Sequence, residues 1–147
     1  MEAKKNNIIY TDGACKGNPG NGGWGVYIIT KDKIEKELFG YETFTTNNKM
    51  ELTAAIKGLE YFKNCEKIIL FTDSIYLKQG ITVWIKAWKN NYWKNKQNKV
   101  IKNLELWKKL DFLNEFHDVH WNWVKAHNGD YGNERADKLA NIAISLK

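Results

Sequence analysis

Cysteine is scarce in this sequence, which contains only Cys15 and Cys65 in 147 residues. Their spacing matches no disulfide framework, metal-binding motif or redox motif, so we expect two free thiols in a reducing cytosol. Long apolar runs are also absent, because the polar residues 1–7 are followed only by the short apolar run Ile8–Tyr10. A membrane span needs about 20 apolar residues, so we expect neither a span nor a signal peptide, and we expect a cytoplasmic location.

Proline is nearly absent, with Pro19 as its single example, and no repeat, linker or low-complexity stretch interrupts the chain. The length and an apolar content of 43% suffice to build one hydrophobic core. Residues 1–147 are therefore predicted to form a single domain. No sequence feature implies an obligate protein partner, and we expect a monomer.

Acidic residues are rare in one part of the chain, residues 78–109. This segment has nine lysines and one acid, Glu105, giving a net charge of +8 in a chain whose total is +6. Its aromatic residues include Trp84, Trp88, Tyr92, Trp93 and Trp107. Lysines interleaved with aromatic rings are typical of a nucleic-acid interface, where phosphates are neutralised and rings stack on sugars or bases. The alternative is a solvated lysine face whose tryptophans belong to the core.

Hydrophobic periodicity predicts an α/β fold with a mixed sheet, in which three antiparallel strands precede alternating helices and strands. The predicted strands are Ile8–Ala14, Gly23–Lys31, Ile34–Tyr41, Lys67–Asp73 and His117–Val124. The predicted helices are Lys49–Lys63, Ser74–Gln79, Ile81–Trp88, Asn103–Leu113 and Asn133–Leu146, with Gly80 closing the second helix. The glycine-rich run Gly17–Gly25 is expected to be a turn region, where backbone can approach a ligand closely.

Asp12 is the most informative single residue, because it lies in an otherwise apolar strand. An ionised carboxylate held in a sheet is costly unless it is paired or binds a metal. The strand itself contains no Arg or Lys that could pair with it. A group outside the strand must therefore neutralise Asp12, which makes it a candidate functional residue.

Three further acids have both a structural and a functional interpretation. Glu51 lies at the margin of a helical apolar stripe and could complete a capping box with Asn48. Asp73 ends a buried strand and could cap the next helix, whereas Asp137 could simply favour a helix N-terminus. Functionally, four carboxylates beside a polyanion-binding surface would repel the ligand unless divalent cations lay between them. Carboxylates holding two metal ions about 3.5–4 Å apart support phosphoryl transfer, and oxygen ligands favour Mg²⁺ or Mn²⁺.

Several motifs follow one another in order from about Ile8 to Ala143. They are Thr11–Gly20, Thr45–Leu52, Thr72–Ser74, Gly80–Ile85 and Trp123–His127, the last continuing through Asn133–Asp137. Together they resemble bacterial-type ribonuclease HI. The resemblance implies a ribonuclease H-like fold, a five-stranded mixed sheet with strands 1–3 antiparallel, strands 1, 4 and 5 parallel, and helices on both faces. It also implies an endonuclease that cuts the RNA strand of an RNA–DNA hybrid and leaves 3′-hydroxyl and 5′-phosphate ends.

The same resemblance implies the roles of individual acids and of one histidine. Asp12, Glu51, Asp73 and Asp137 match the catalytic acids that bind metal, most simply two Mg²⁺ ions, with Mn²⁺ as the alternative. His127 matches a loop histidine that assists proton transfer or product release. One metal would help to deprotonate the water that attacks the scissile RNA phosphate, while the second would stabilise the departing 3′-oxygen.

Substrate contacts are implied by the resemblance as well. A phosphate pocket for the DNA strand is implied at Thr46, Ser74 and Asn103. Minor-groove contacts are implied for Asn18, Asn47 and the backbone of Cys15, Lys16 and Gly17, and Asn48 belongs to the same substrate-binding set. The matching basic protrusion, about residues 79–103, would grip the hybrid through Trp84, Lys86, Trp88, Lys89, Trp93 and Lys94.

Two positions depart from the family pattern, since Phe44 replaces a frequent arginine and Ile75 a frequent glutamine. Both substitutions leave the chemistry intact but bear on substrate affinity. Two alternatives to a ribonuclease also remain at this point. One is another nuclease or strand-transferase of the same fold, of the resolvase or integrase kind, and the other is a non-catalytic hybrid-binding module.

Overall fold

The computed structural model of the protein describes residues 6–126 and 128–146. Its centre is a five-stranded sheet in the order β3-β2-β1-β4-β5. The strands are β1 (Asn7–Lys16), β2 (Gly20–Ile29), β3 (Glu35–Thr45), β4 (Lys67–Thr72) and β5 (Asp118–Trp123). β2 pairs antiparallel with both β1 and β3, whereas β4 pairs parallel with both β1 and β5. The predicted mixed topology is confirmed.

Helices cover both faces of this sheet. They are α1 (Asn47–Glu60), α2 (Ile75–Gln79), α3 (Ile85–Asn90), α4 (Leu104–Phe116) and α5 (Tyr131–Ser145), with a π-helical turn over Gly80–Trp84 between α2 and α3. Neighbouring glycines of β2 show that α1 and α5 lie on opposite faces. A Cβ atom on Gly22 would meet the Met50 side chain of α1, whereas one on Gly23 would lie 2.3 Å from the Ala140 carbonyl oxygen of α5.

The glycine-rich run from Gly17 to Gly25 is mostly strand, so the prediction of a turn over its whole length is wrong. Only residues 17–19 form the turn, with Gly17 at φ +72°, and β2 begins at Gly20. Gly25 shows why glycine is needed within the strand, since a Cβ there would lie 2.3 Å from the Ala136 carbonyl oxygen of α5. These strand glycines therefore allow a helix to pack directly on the sheet backbone.

Gly80 does not end a helix, contrary to the prediction, because the chain stays helical from Ile75 to Asn90. Its backbone angles, φ −61° and ψ −49°, are those of a right-handed helix. The missing side chain is required by packing, since a Cβ would lie 2.0 Å from Cη2 of Trp107 in α4. A glycine at a tight helix–helix contact and a glycine at a helix end have the same appearance in a sequence.

The last helix begins at Tyr131 rather than at Asn133. Asp130 is its N-cap, and the Asp130 carboxylate accepts a hydrogen bond of 2.9 Å from the Asn133 main-chain N–H. Asp137 is therefore in the second turn of α5 and not near its start. Within residues 6–126 and 128–146, no helix is long and apolar enough to cross a bilayer.

His117 is buried where three elements meet. Its Nδ1 accepts a hydrogen bond from the Glu66 main-chain N–H at 3.1 Å, and its Nε2 lies 3.0 Å from the Leu59 carbonyl oxygen. The ring thereby joins the last turns of α1 and α4 to the residue before β4. The apolar core lies beside it, between the sheet and the helices α1 and α4.

Candidate active site

Asp12 is placed by the middle of β1, where its neighbours on both sides are also paired with β2. The residue is buried at 5% exposure. One carboxylate oxygen accepts a hydrogen bond of 2.9 Å from the Gly13 main-chain N–H. A Cβ on Gly13 would lie 2.5 Å from the Glu51 main-chain nitrogen, so glycine is needed there for α1 to approach β1. This close approach brings the Glu51 carboxylate to Asp12.

Glu51 is buried in the second turn of α1, and its capping-box interpretation is excluded. The N-cap of α1 is Thr46, whose hydroxyl accepts a hydrogen bond from the Lys49 main-chain N–H at 3.2 Å. Glu51 therefore lies beyond the third helical position that a capping box requires. Its Oε1 atom is buried without a hydrogen-bond partner, which is unusual for a carboxylate and leaves an oxygen free to bind a cation.

Asp73 and Asp137 also lack the structural roles that offered alternatives to function. Ser74, not Asp73, caps α2, because the Ser74 hydroxyl accepts a hydrogen bond of 3.0 Å from the Leu77 main-chain N–H. Asp137 lies too far into α5 to benefit from the positive end of the helix dipole, which extends over the first turn only. The capping and dipole interpretations of these two carboxylates are therefore excluded.

The four acids meet at Asp12, in the middle of β1. Carboxylate oxygens of Asp12, Glu51 and Asp73 all lie within 4.8 Å of one another. Asp137 reaches the same place, since its side chain is hydrogen-bonded to Asp12. β1, α1, the end of β4 and α5 thus each contribute one carboxylate.

Crowding of these acids changes their protonation. Burial raises the pKa of Asp12 to about 11, and the negative charges of Glu51 and Asp73 and the hydrogen bond with Asp137 add to that increase. Burial likewise raises the pKa of Glu51 well above its usual range, with the charge of Asp73 as the next cause. Bringing several carboxylates out of water and next to each other favours their neutral forms, unless a cation compensates their charge.

The donor set fits a hard divalent cation. All of the available ligand atoms are carboxylate oxygens, which suit Mg²⁺ or Mn²⁺ rather than softer metals. The unpartnered Glu51 Oε1 supplies a ligand atom that no protein group satisfies. Asp12, Glu51, Asp73 and Asp137 are therefore the residues that could hold metal here.

Trp123 is a neighbour of this cluster for which no individual role was predicted. Its indole Nε1 donates a hydrogen bond of 3.1 Å to the Asp73 main-chain oxygen, which ties the end of β5 to the segment carrying the carboxylate. No sequence signal indicated this contact, because it depends on β5 lying parallel to β4. His127, the predicted catalytic histidine, lies outside the described residues.

The predicted minor-groove residues lie together beside the acids. The Asn47 main-chain N–H donates a hydrogen bond of 3.0 Å to the Asn18 side-chain oxygen. The Cys15 thiol donates one of 3.3 Å to the Thr45 carbonyl oxygen. These two contacts hold the β1–β2 turn, including Lys16 and Gly17, against the start of α1. Asn48 lies in the first turn of that helix and is exposed.

The predicted phosphate-pocket residues are partly engaged in the fold. The hydroxyls of Thr46 and Ser74 cap α1 and α2. Asn103 stands at the N-cap position of α4 with φ +62°, and its side chain makes no capping hydrogen bond. Instead, Asn103 Nδ2 donates to the hydroxyl of Tyr76, a residue for which no role was predicted.

The tryptophans of the basic protrusion form an aromatic cluster. Trp84 and Trp88 are half-buried and contact each other, with ring centroids 6.0 Å apart, and both also contact Trp107. Trp107 is fully buried. The core interpretation is therefore correct for Trp107, while the other two rings retain exposed edges. A cavity of about 520 Å³ opens beside them and is lined in part by Lys94 and Lys96.

The remaining predicted residues of the protrusion differ in their exposure and in whether their charge is paired within the protein. Lys86 and Lys94 are exposed, and Trp93 is half-buried under the Lys108 ammonium. Lys89 is paired with Asp111 of α4 at 3.1 Å. Its charge is thus partly compensated within the protein, which the lysine count of the sequence did not indicate.

Known proteins with similar sequences share one description. The family model described as RNase H matches residues 4–145. Ribonuclease H of Wolbachia pipientis wMel is 56% identical over 142 residues, covering 97% of this chain and 97% of that protein. Ribonuclease H of Legionella pneumophila (strain Corby) is 56% identical over 136 residues, covering 92% and 94% of the two chains.

Solved structures of RNase H1 proteins also superimpose on this chain. LC9-RNase H1, described as a type 1 RNase H with the type 2 active-site motif, superimposes with a TM-score of 0.87 at 30% identity, covering 99% of this chain and 75% of that one. LC11-RNase H1, solved in complex with an RNA/DNA hybrid, superimposes with a TM-score of 0.72 at 26% identity, covering 95% and 97% of the two chains.

Proposed function

Because the chain belongs to the RNase H family and is therefore a ribonuclease H, we propose that it is an endonuclease cutting the RNA strand of RNA–DNA hybrids. The products would carry 3′-hydroxyl and 5′-phosphate ends. The observation that carries the proposal is that carboxylate oxygens of Asp12, Glu51 and Asp73 lie within 4.8 Å of one another. The side chain of Asp137 is hydrogen-bonded to Asp12. Further support comes from the similar LC11-RNase H1, which was solved with a bound RNA/DNA hybrid.

The four acids would hold two Mg²⁺ ions. When bound, the ions would lower the pKa of the attacking water and compensate charge on the scissile phosphate and the departing 3′-oxygen. The protein's own contribution is positioning: β1 and α1 fix Asp12 and Glu51 in a buried, rigid environment, so little reorganisation is needed during the reaction. His127 would assist proton transfer or product release, as the resemblance of its motif to the family implies.

Recognition of the cut strand would come from the 2′-hydroxyl, the group by which a protein distinguishes RNA from DNA. Asn18 and Asn47 are held together beside the acids and offer short polar groups suited to a wide, shallow minor groove. The other strand would lie along Trp84, Trp88 and the lysines of the protrusion, where stacking and phosphate contacts are not specific for sequence.

One cleavage assay tests this proposal. An RNA–DNA hybrid, an RNA duplex and a DNA duplex of one sequence are labelled on either strand and incubated with Mg²⁺ or with EDTA. We expect Mg²⁺-dependent cutting of the RNA strand of the hybrid alone. Cutting of the DNA duplex would indicate the resolvase or integrase class, and hybrid binding without cleavage would indicate a binding module.

We further propose that the enzyme acts as a monomer in the cytoplasm. Free Cys15 and Cys65 thiols are consistent with a reducing compartment. Light scattering of the purified protein tests the first part, with a molecular mass near 17.2 kDa expected for the monomer. Fractionation of cells that express the tagged chain tests the second part.

A further inference from the structure

The hydroxyl of Tyr76 receives two hydrogen bonds from different parts of α4. Asn103 Nδ2 donates to it at 3.1 Å from the start of the helix, and Trp107 Nε1 donates to it at 3.1 Å from the first turn. Trp107 is fully buried and packs its ring against the Tyr76 ring, with centroids 5.3 Å apart. Because the indole N–H can only donate, the Tyr76 oxygen is a fixed acceptor at this place.

Asn103 would ordinarily use its side chain differently. An Asn at the N-cap position accepts a hydrogen bond from a main-chain N–H of the first turn and stabilises the helix. Asn103 makes no such bond and has a left-handed backbone conformation, φ +62°, which Asn tolerates better than most residues. Its amide donates to the Tyr76 hydroxyl instead. The first turn of α4 therefore lacks a side-chain cap, and the Asn103 amide has one fixed orientation.

That orientation leaves the second N–H of the Asn103 amide available. An amide nitrogen has two donors, and the Tyr76 oxygen uses only one of them. Asn103 is half-buried and lines an open cavity together with Lys49, Glu42 and Glu105, so its amide borders space that is accessible to solvent. A donor that is fixed before binding loses little side-chain entropy when it contacts a ligand.

We propose that the Tyr76 hydroxyl is a positioning group for substrate binding, which fixes the Asn103 amide for a hydrogen bond to a phosphate of the DNA strand. This inference rests on the proposed function, because it assumes that Asn103 lies against the hybrid backbone. Tyr76 acts through Asn103 and does not itself take part in the reaction. Tyr76 lies on the face of α2 that meets α4, and it would contribute to hybrid binding only through Asn103.

Tyr76→Phe tests the hydroxyl alone, because it keeps the ring and its packing against Trp107. We expect KM for the hybrid to rise about three- to tenfold, the size of one ordinary hydrogen bond, because the Asn103 amide loses its fixed orientation and not its contact, while kcat changes little. Tyr41→Phe is the matched control, because Tyr41 is 47% exposed on β3, outside the protrusion, and it should leave KM unchanged. An unchanged KM in Tyr76→Phe would overturn the proposal.

A double-mutant cycle separates positioning from a merely structural role. Removing the hydroxyl also leaves the Trp107 N–H without its partner, so some loss of thermal stability is expected under either role. If Tyr76 acts through Asn103, Tyr76→Phe raises KM in the native protein but not in an Asn103→Ala background. Equal effects in both backgrounds would show that the hydroxyl acts independently of Asn103 and would overturn the proposal.

A substrate series provides the last distinction. Single neutral methylphosphonates are placed in turn along the DNA strand of the hybrid. The linkage that costs the wild-type protein most affinity should cost Tyr76→Phe and Asn103→Ala less, since their contact is already weakened. Identical profiles for the three proteins would overturn the positioning role, whereas failure of the wild-type protein to cut any hybrid would overturn the proposed function itself.

Discussion

The Asn47 main-chain N–H donates a hydrogen bond to Oδ1 of Asn18 over 3.0 Å, across the gap between α1 and the β1–β2 turn. The two residues predicted to contact the minor groove are thereby joined before any substrate arrives. The Asn18 amide group is oriented by this bond, since its oxygen faces Asn47 and its NH2 group faces away. The turn and the helix terminus are thus held together as one unit.

Replacing Asn18 with Ala should therefore weaken substrate binding more than folding. We expect KM for the hybrid to rise about three- to tenfold, with a change in the free energy of unfolding below about 1 kcal/mol, because the Asn18–Asn47 bond is exposed. Steady-state kinetics and urea unfolding measure the two effects. Asn21→Ala, an exposed change at the start of β2, is the control. A KM equal to that of the control would show that Asn18 does not contact the hybrid.

Asp12→Asn should abolish cleavage while preserving the fold. The amide occupies nearly the same space but offers a cation a neutral ligand, so the rate should drop at least about 1000-fold at saturating Mg²⁺. Hybrid binding should remain, which filter binding in EDTA can measure. Asp118→Asn changes an exposed acid of β5 and should leave the rate unaffected. Cleavage at the wild-type rate in Asp12→Asn would contradict the catalytic assignment.

The same substitution should change how stability depends on pH in the metal-free protein. Burial raises the pKa of Asp12 from 3.8 to about 11, so the folded state binds a proton that the unfolded state has released. The unfolded state then binds fewer protons, and stability falls as pH rises above about 4. Asp12→Asn removes this titration, because its neutral amide needs no proton from solution on folding, so it should be more stable than wild type at pH 7 in EDTA. Denaturation at several pH values measures both slopes, and a variant less stable at pH 7 would contradict this.

Sequence patterns were sufficient for the order of strands and helices, because strands and helices repeat with different periods. They were insufficient for glycines, whose roles depend on distant partners. At Gly80 the space of a side chain is occupied by Trp107 of α4, and at Gly25 it is occupied by the Ala136 carbonyl oxygen of α5. A glycine that permits packing cannot be distinguished from one that permits a turn until the partner element is placed.

The acids of the site illustrate the same limit. Asp12 could be identified as a candidate functional residue from its own strand, because the predicted strand contains no Arg or Lys that could pair with it. Glu51 and Asp137 were ambiguous, because their structural interpretations depended on the helix start, which local sequence places only within a few residues. Tyr76 was not identifiable at all, since its importance arises from a contact with Asn103 on another helix.

Lysines of the protrusion should contribute to binding through charge alone. In Lys86→Ala/Lys94→Ala the KM should rise, kcat should change little, and the slope of log KM against log salt should decrease by up to about two. Lys89 is left intact because Asp111 already compensates part of its charge. Lys36→Ala/Lys63→Ala removes the same total charge from exposed positions elsewhere. Equal salt slopes for the two double variants would show that the protrusion does not contact phosphates.

Gly80→Ala should destabilise the protein, although Ala is the better helix former by about 1 kcal/mol. The new methyl group would lie 2.0 Å from Cη2 of the buried Trp107, and overpacking of this kind costs about 1–3 kcal/mol. Displacing Trp107 also disturbs Trp84 and Trp88, which pack on it, so KM should rise as well. In Gly58→Ala the nearest contact is 3.0 Å, to the Ile9 side chain, and a smaller change in unfolding free energy is expected. If Gly80→Ala were instead the more stable protein, the Trp107 ring would have room for the added methyl group, and the contact would not require glycine at this position.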